Sequence, residues 1–354
     1  MINKYLIILY FIWCFILTGC VTEQPIATPT VQHLTAPQIK NYVCTGEYDL
    51  KRNIGEPFTV DAEGNFYITN STIDYRMNIK KYNSQGKYII TWIPEIKKRK
   101  LNCWFVKRKY GPGEEYLSDI FADKENIYLA YGAAYEYFRD ECCFIDYTGH
   151  IEKFDLNGNF ITAIKPEKDS FPRDFVRYIT KDKNGNFYLA SRKHIEKYDT
   201  NLKLQSILYP FAKKWYKKTS NFPNIALIGD LAIDSGGYIY ILLKWWWNDN
   251  NGYIAKFDSS GKLIKKWITE DKDEFDFCAL EIDPDDNIYV LAVDKSDTYH
   301  IQQFDSSGNF ITGWKPGYNG DHYNTTYTDM KIDSKGNIYV DTGKGTIKKF
   351  SPKQ

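Results

Sequence analysis

Apolar and polar positions alternate along this chain in short bursts, and the bursts recur. A polar turn followed by an aromatic and aliphatic run appears six times: Val60–Tyr67, Ala122–Tyr128, Lys181–Tyr188, Ile233–Tyr240, Ile282–Tyr289 and Ile332–Tyr339. After each comes a second apolar–polar segment, at 79–82, 151–154, 195–198, 254–257, 301–304 and 347–350. Segments this short, rich in Ile, Tyr and Phe and broken by Asp, Asn and Gly, predict strands joined by hairpin turns. The repeat aspartates, Asp61, Asp123, Asp182, Asp234, Asp283 and Asp333, are spaced by 62, 59, 52, 49 and 50 residues. Helical solenoid repeats are shorter and have helical periodicity. A unit of this length holding four short strands predicts a propeller blade.

The fifth unit shows the reading in full. Ala279–Ile282 is a first strand, Asp283–Asn287 a turn and Ile288–Ala292 a second strand; His300–Phe304 is a third, Asp305–Gly308 a turn and Asn309–Trp314 a fourth. The turn aspartates are expected to accept backbone N–H groups two residues on, and the glycines to supply positive φ. The repeated Asp is therefore read as structural. The sixth unit ends at Phe350 and lacks a fourth strand, while Tyr42–Leu50 precedes the first unit without a partner. An open blade leaves an unpaired edge, which proteins avoid. The N-terminal strand is thus expected to complete the last blade. The expected fold class is all-β, a six-bladed β-propeller of four-stranded antiparallel blades, with residues 42–354 as one domain.

The patterns D-x-x-G-N-[IF]-Y-[VIL] and [IV]-x-K-F-D-x-x-G resemble the NHL repeat of six-bladed propellers, over about 310 of the 354 residues. The resemblance implies that fold. It spans binding scaffolds, sensor domains and a few metal-dependent lactonases and lyases, so it does not select a function.

Ahead of the repeats, Lys4 is followed by an apolar run from Tyr5 to Leu17. The run is short for a membrane span and fits the apolar region of a secretory signal. It ends in Leu17-Thr18-Gly19-Cys20, which resembles a bacterial lipoprotein lipobox. That resemblance implies residues 1–20 as a cleaved signal and lipid attachment at Cys20. Residues 21–41, rich in Thr, Pro, Gln and Ala, are expected to be a flexible tether. The expected location is the cell envelope, on the outer membrane if there is one.

Export permits disulfides. Beyond Cys14 and Cys20 there are Cys44, Cys103, Cys142, Cys143 and Cys278. An odd number leaves at least one unpaired within the chain. Consecutive α-carbons about 3.8 Å apart disfavour a Cys142–Cys143 bond; either of them with Cys103 is the better candidate, because both are expected in long loops on the same face of adjacent blades. The formal charge of +1 argues against a nucleic-acid partner, and the 17% aromatic content is mostly accounted for by packing between blades.

In such a blade the D-x-x-G turns share one rim, and the remaining, longer connections, among them the expected loops Asn70–Asn78, Tyr131–His150 and Lys244–Tyr253 within blades, share the other, where binding is expected. Trp245, Trp246 and Trp247 stand at the end of a second strand, and three rings in a row cannot all face the core of a strand of period two. They are candidates for a sugar- or protein-binding platform. Two basic, aromatic stretches are candidates for an anionic partner. One includes Trp104, Lys107 and Arg108; the other includes Lys213, Lys214 and Trp215. Four residues before the repeat Asp, alternate blades carry Asp119, Asp230 and Asp329. These carboxylates are expected near the axis, as loop caps or as oxygen ligands for Ca²⁺. His150, His194 and His300 share one repeat position and are read as structural, and no nucleophile motif is present. The expectation is a monomeric, non-enzymatic scaffold for an envelope protein or anionic glycan. The alternative is a metal-dependent lactonase or lyase that uses the channel carboxylates, with Glu281 beside them.

Overall fold

A computed structural model describes residues 42–50, 56–71, 77–94, 115–139, 142–164, 176–191, 194–208, 226–245, 253–267, 275–294, 296, 298–317, 329–342 and 345–353. These form six four-stranded antiparallel sheets. Blade 1 holds β2 (Phe58–Val60), β3 (Phe66–Ser71), β4 (Met77–Tyr82) and β5 (Tyr88–Trp92), following β1 (Tyr42–Asp49). Blade 2 holds β6 (Glu115–Ala122), β7 (Asn126–Arg139), β8 (Cys142–Asp155) and β9 (Phe160–Ile164). Blade 3 holds β10 (Tyr178–Lys181), β11 (Phe187–Ala190), β12 (Ile195–Tyr198) and β13 (Leu204–Leu208). Blade 4 holds β14 (Ala226–Ile233), β15 (Ile239–Trp245), β16 (Tyr253–Phe257) and β17 (Leu263–Trp267). Blade 5 holds β18 (Phe275–Ile282), β19 (Ile288–Asp294), β20 (Tyr299–Phe304) and β21 (Phe310–Trp314). Blade 6 holds β22 (Met330–Ile332), β23 (Ile338–Asp341) and β24 (Thr346–Pro352), and its fourth strand is β1.

The expected closure is therefore present. β1 runs antiparallel to β24 from Tyr42↔Pro352 to Asp49↔Thr346. Innermost strands touch in succession around the ring, and β22 touches β2.

Each turn is closed by its aspartate. In blade 5, Asp283 Oδ1 accepts the N–H groups of Asp285 and Asn287, both at 2.9 Å. Its Oδ2 accepts Asn287 Nδ2 and the Tyr289 hydroxyl, also at 2.9 Å. Asp61, Asp182 and Asp333 repeat the set in their own blades. The D-x-x-G-N-x-Y spelling is thus a local hydrogen-bond circuit, with each side chain supplying one element of it.

The core lies between blades, in six apolar clusters each shared by two neighbours. Alternation along every strand sends its side chains to one neighbour and then the other. Large rings at the ends of outer strands lock successive blades together. Trp267 of blade 4 is fully buried beneath the Gly308 turn of blade 5, and Trp92 of blade 1 lies against the Gly158 turn of blade 2. A Cβ on Gly158 (φ +86°) would come within 2.5 Å of the Trp92 indole, whereas one on Gly237 (φ +80°) would meet nothing within 4 Å. Both substitutions by alanine carry the left-handed backbone cost of about 1–2 kcal/mol. Gly158→Ala adds an overpacking cost of about 1–3 kcal/mol. Chemical denaturation should therefore rank Gly158→Ala well below Gly237→Ala, and equal midpoints would rule out the interblade contact.

One part of the sequence reading needs correction. The expected loop 131–150 is instead a strand extension, with β7 and β8 paired as far as Arg139↔Cys142. Tyr135, Tyr137 and Phe138 there are strong strand formers, and an antiparallel pair can lengthen without leaving its plane.

Candidate functional site

Two regions were singled out by the sequence, the axis of the ring and the rim of long connections. The axis is lined by the first strand of each blade. β6, β14 and β18 carry register irregularities between Leu117 and Asp119, Ile228 and Asp230, and Phe277 and Ala279. A bulge re-aims the side chain that follows it. Asp119 Oδ1 accepts the N–H of Ile120 at 2.8 Å, and its Oδ2 reaches into blade 3 to accept the N–H of Ile179 at 2.9 Å. Asp230 repeats this from blade 4, accepting Leu231 N–H at 2.8 Å and Leu280 N–H of blade 5 at 2.7 Å. Asp329 accepts the N–H of Met330 at 2.8 Å. Asp119 and Asp230 are thus clamps between neighbouring blades.

A lysine ties this region together. Lys331, on β22 two positions beyond Asp329, places Nζ 3.3 Å from Glu281 Oε1 and 3.3 Å from Asp329 Oδ1. The three side chains are 17–23% exposed, so the ring encloses them while water still reaches them. Burial pushes Asp119 up to about 7 and Asp230 up to about 6, both against the opposing pull of Lys331. Burial likewise raises Glu281 to about 8, again against Lys331. Burial alone would lower the lysine, but Asp329, Glu281, Asp119 and Asp230 outweigh it and hold Lys331 well above its ordinary value. Burial also raises Tyr178, with Asp230 adding to the effect.

Of Asp119, Asp230 and Asp329, read from the sequence as loop caps or Ca²⁺ ligands, Asp329 pairs with the Lys331 ammonium, while Asp119 and Asp230 accept backbone N–H groups. Among the described residues no group of three or more His, Cys, Asp or Glu is arranged to hold a metal ion. Three carboxylates in alternate blades were legible as a repeat position. Lys331 stood out less, because its repeat position holds Thr59, Phe121, Thr180 and Ala232 in four blades and only Glu281, in blade 5, carries the opposite charge.

The three repeat-position histidines are buried in their own blades. His150 stacks on Tyr131 at 4.7 Å, His194 Nδ1 lies 2.9 Å from Ser191 Oγ, and His300 Nε2 lies 2.8 Å from Asp294 Oδ2. Burial pushes His300 below its usual value, with Asp294 opposing.

On the long-connection rim, β15 ends at Trp245, at the far end of the strand from the Asp234 turn. Trp245 is described by its backbone only, as are Cys142 and Cys143 at the start of β8. Trp246, Trp247, Trp104, Lys107, Arg108, Lys213, Lys214, Trp215, Cys103 and Cys20 lie outside the described residues. Cys44, on β1, is an exposed thiol.

No protein family matches the chain in sequence, and no curated protein matches it. Comparison of structures does find likenesses. A protein of unknown function from Dyadobacter fermentans superposes with a TM-score of 0.55 at 10% identity, covering 89% of this chain and 100% of that one. The WD40 domain of Neurospora crassa Pan2 gives a TM-score of 0.49 at 8% identity, over 90% and 98% of the two chains. A polysaccharide lyase, an ulvan lyase, gives 0.47 at 13% identity, over 82% and 78%. Identities this low speak to architecture alone. The six four-stranded antiparallel sheets make an all-β six-bladed propeller, and the chain is similar in fold to the Dyadobacter protein.

Proposed function

We propose that this protein is an exported propeller, held at the cell envelope by lipid on Cys20, that binds an envelope protein or an anionic glycan through its long-connection rim without catalysing a reaction. The observation that carries the reading is the division between the two rims. One is built of short, Asp- or Asn-closed turns that hardly vary. The other receives the connections 95–114, 209–225, 246–252, 268–274 and 318–328, which differ in length and composition. Variable segments on a rigid scaffold are where binding residues concentrate. The basic and aromatic stretches fall in these connections, and Arg or Lys with Trp suits a charged sugar or an acidic protein surface. Support for a non-catalytic role comes from the axis, where Lys331 neutralises carboxylates and Asp119 and Asp230 are occupied with backbone N–H groups.

The test is retention of envelope components by the full chain, compared with a Trp245→Ala, Trp246→Ala, Trp247→Ala variant and a Lys213→Ala, Lys214→Ala, Trp215→Ala variant. Each is expected to lose about tenfold or more in affinity, as hot-spot truncations do, with unchanged melting. Retention equal to wild type in both would show that this rim does not carry the binding. In the same preparation EDTA is expected to leave the melting temperature where it was. A clear drop, abolished by Asp119→Ala or Asp230→Ala, would instead favour the metal-dependent enzyme.

A further inference from the structure

We infer that the opposite, tight-turn rim is a lipid-facing surface on which the propeller rests against the bilayer; this rests on the lipid-anchor part of the proposed function. The outer strands β5, β9, β17 and β21 all begin at that rim, immediately after a tight turn. Their opening positions are apolar and exposed: Tyr88 53% and Ile89 50% in blade 1, Phe160 59% and Ile161 49% in blade 2, Leu263 44% and Ile264 51% in blade 4. Blade 5 contributes one such residue. In blades 3, 4 and 5 the other ends of the outer strands behave differently, with Leu208, Trp267 and Trp314 at 7%, 0% and 3%, whereas in blade 1 Ile93, just past β5, is 61% exposed. Single exposed apolar residues need no explanation. Consecutive pairs on three blades, all at one end of the molecule, form a girdle.

Where the chain joins the ring identifies the occupant. Tyr42 pairs with Pro352, at the end of β24 that lies beside the tight turns. The segment carrying the apolar run and Cys20 therefore meets the propeller at the same rim as the girdle. The stretch between Cys20 and Tyr42 can reach at most about 75 Å. A lipid on Cys20 thus keeps the rim near the bilayer at an effective concentration of about millimolar, where even weak surface affinity is sufficient. Exposed Lys87 and Lys262 close the turns just ahead of β5 and β17, and Asn159 stands at that place ahead of β9. Lysines beside apolar side chains suit a surface of acyl chains and anionic headgroups. Blade 3 interrupts the girdle, since Gln205 occupies the second position there and donates to Asp199 at 3.0 Å. Contact is accordingly made through blades 1, 2 and 4.

The test uses the lipidated full chain in vesicles of phosphatidylethanolamine and phosphatidylglycerol doped with a diazirine-bearing phosphatidylglycerol. After irradiation, mass spectrometry locates the adducts. Adducts are expected on peptides spanning 87–93, 159–164 and 262–267, and to be lost in an Ile89→Asp, Ile161→Asp, Ile264→Asp variant that melts like wild type. If that variant fails to fold, Ile89→Asn, Ile161→Asn and Ile264→Asn made singly should each remove the adducts of their own blade. Adducts confined to residues 20–41, or spread onto the long-connection rim, would overturn the lipid-facing assignment while leaving the anchor intact. Absence of lipid adducts on the girdle, together with a dimeric mass of the lipidated chain in detergent, would overturn it in favour of a second copy. An unacylated Cys20 would defeat the anchor itself, a different failure with its own signature in the intact mass.

Discussion

Deleting Tyr42–Asp49 is expected to abolish cooperative melting of the propeller, whereas deleting residues 22–40 is expected to leave it intact. The strand does more than cover an edge. β1 pairs with β24 along its length. The Tyr42 ring is buried between blades, stacked on Trp314 of blade 5 at 4.9 Å, and its hydroxyl lies 2.9 Å from that of Tyr289. At the other end Tyr48 packs against the Gly86 turn of blade 1 and donates to Ser84 O at 3.2 Å. One strand therefore touches blades 5, 6 and 1, and its loss opens two apolar clusters and the sheet edge together. Tyr42→Ala should cost about 3–5 kcal/mol, as for other buried aromatics. Tyr42→Phe should cost only about 1 kcal/mol, because Tyr289 keeps Asp283 as acceptor. Calorimetry of the set decides the matter; identical transitions for the two deletions would mean that the ring is not closed in this way.

The second large effect concerns Lys331. Replacing it with methionine leaves Glu281, Asp329, Asp119 and Asp230 enclosed without their cation. Removing one partner of a buried pair costs about 3–5 kcal/mol, and here the cost depends on pH. The wild-type carboxylates Asp119, Asp230 and Glu281 have folded-state values of about 7, 6 and 8, raised above their unfolded values near 4. A raised acid binds its proton more tightly when folded. Its contribution to stability is fully present below about pH 4 and is lost as pH rises through the folded values, with no further loss above about 8. From this cluster, wild type should lose a few kcal/mol of stability between about pH 4 and 8. Lys331→Met should deepen that loss, melting near wild type at pH 5 and far below it at pH 8. A pH-independent difference between the two would show that the lysine does not govern the carboxylates.

What was legible in the sequence was what the chain repeats. Asp283, its turn and Tyr289 recur in register, so their shared geometry could be read six times over, and the missing last strand pointed to Tyr42. The histidines were placed by the same logic. What escaped were the departures from the repeat. Residues 131–150 were read as a loop because no other blade extends there, although their Tyr and Phe content suits strands. The irregularities before Asp119 and Asp230 leave no periodic trace. Lys331 fills a position held by Thr59, Phe121 and Thr180 in other blades, and its partner Glu281 lies 50 residues away. Glu281 and Lys331 stand at the same position of adjacent repeats, two before Asp283 and Asp333, so the pair shows only when the repeats are aligned and the opposite charges at that one position are compared. The tryptophan triplet and the basic stretches stood out for composition alone, which names side chains without arranging them.

The direction of β1 has a mechanical consequence. A force on the chain ahead of Tyr42, resisted by a load at the far rim, pulls β1 along its own axis against β24. All of its ladder bonds then bear the force in shear and share it. Were the same strand pulled together with the end of β24, from Tyr42 and Pro352 on one side, the bonds would open one after another like a zip. A ring fastened by this strand is strongest under tension running through the molecule from rim to rim.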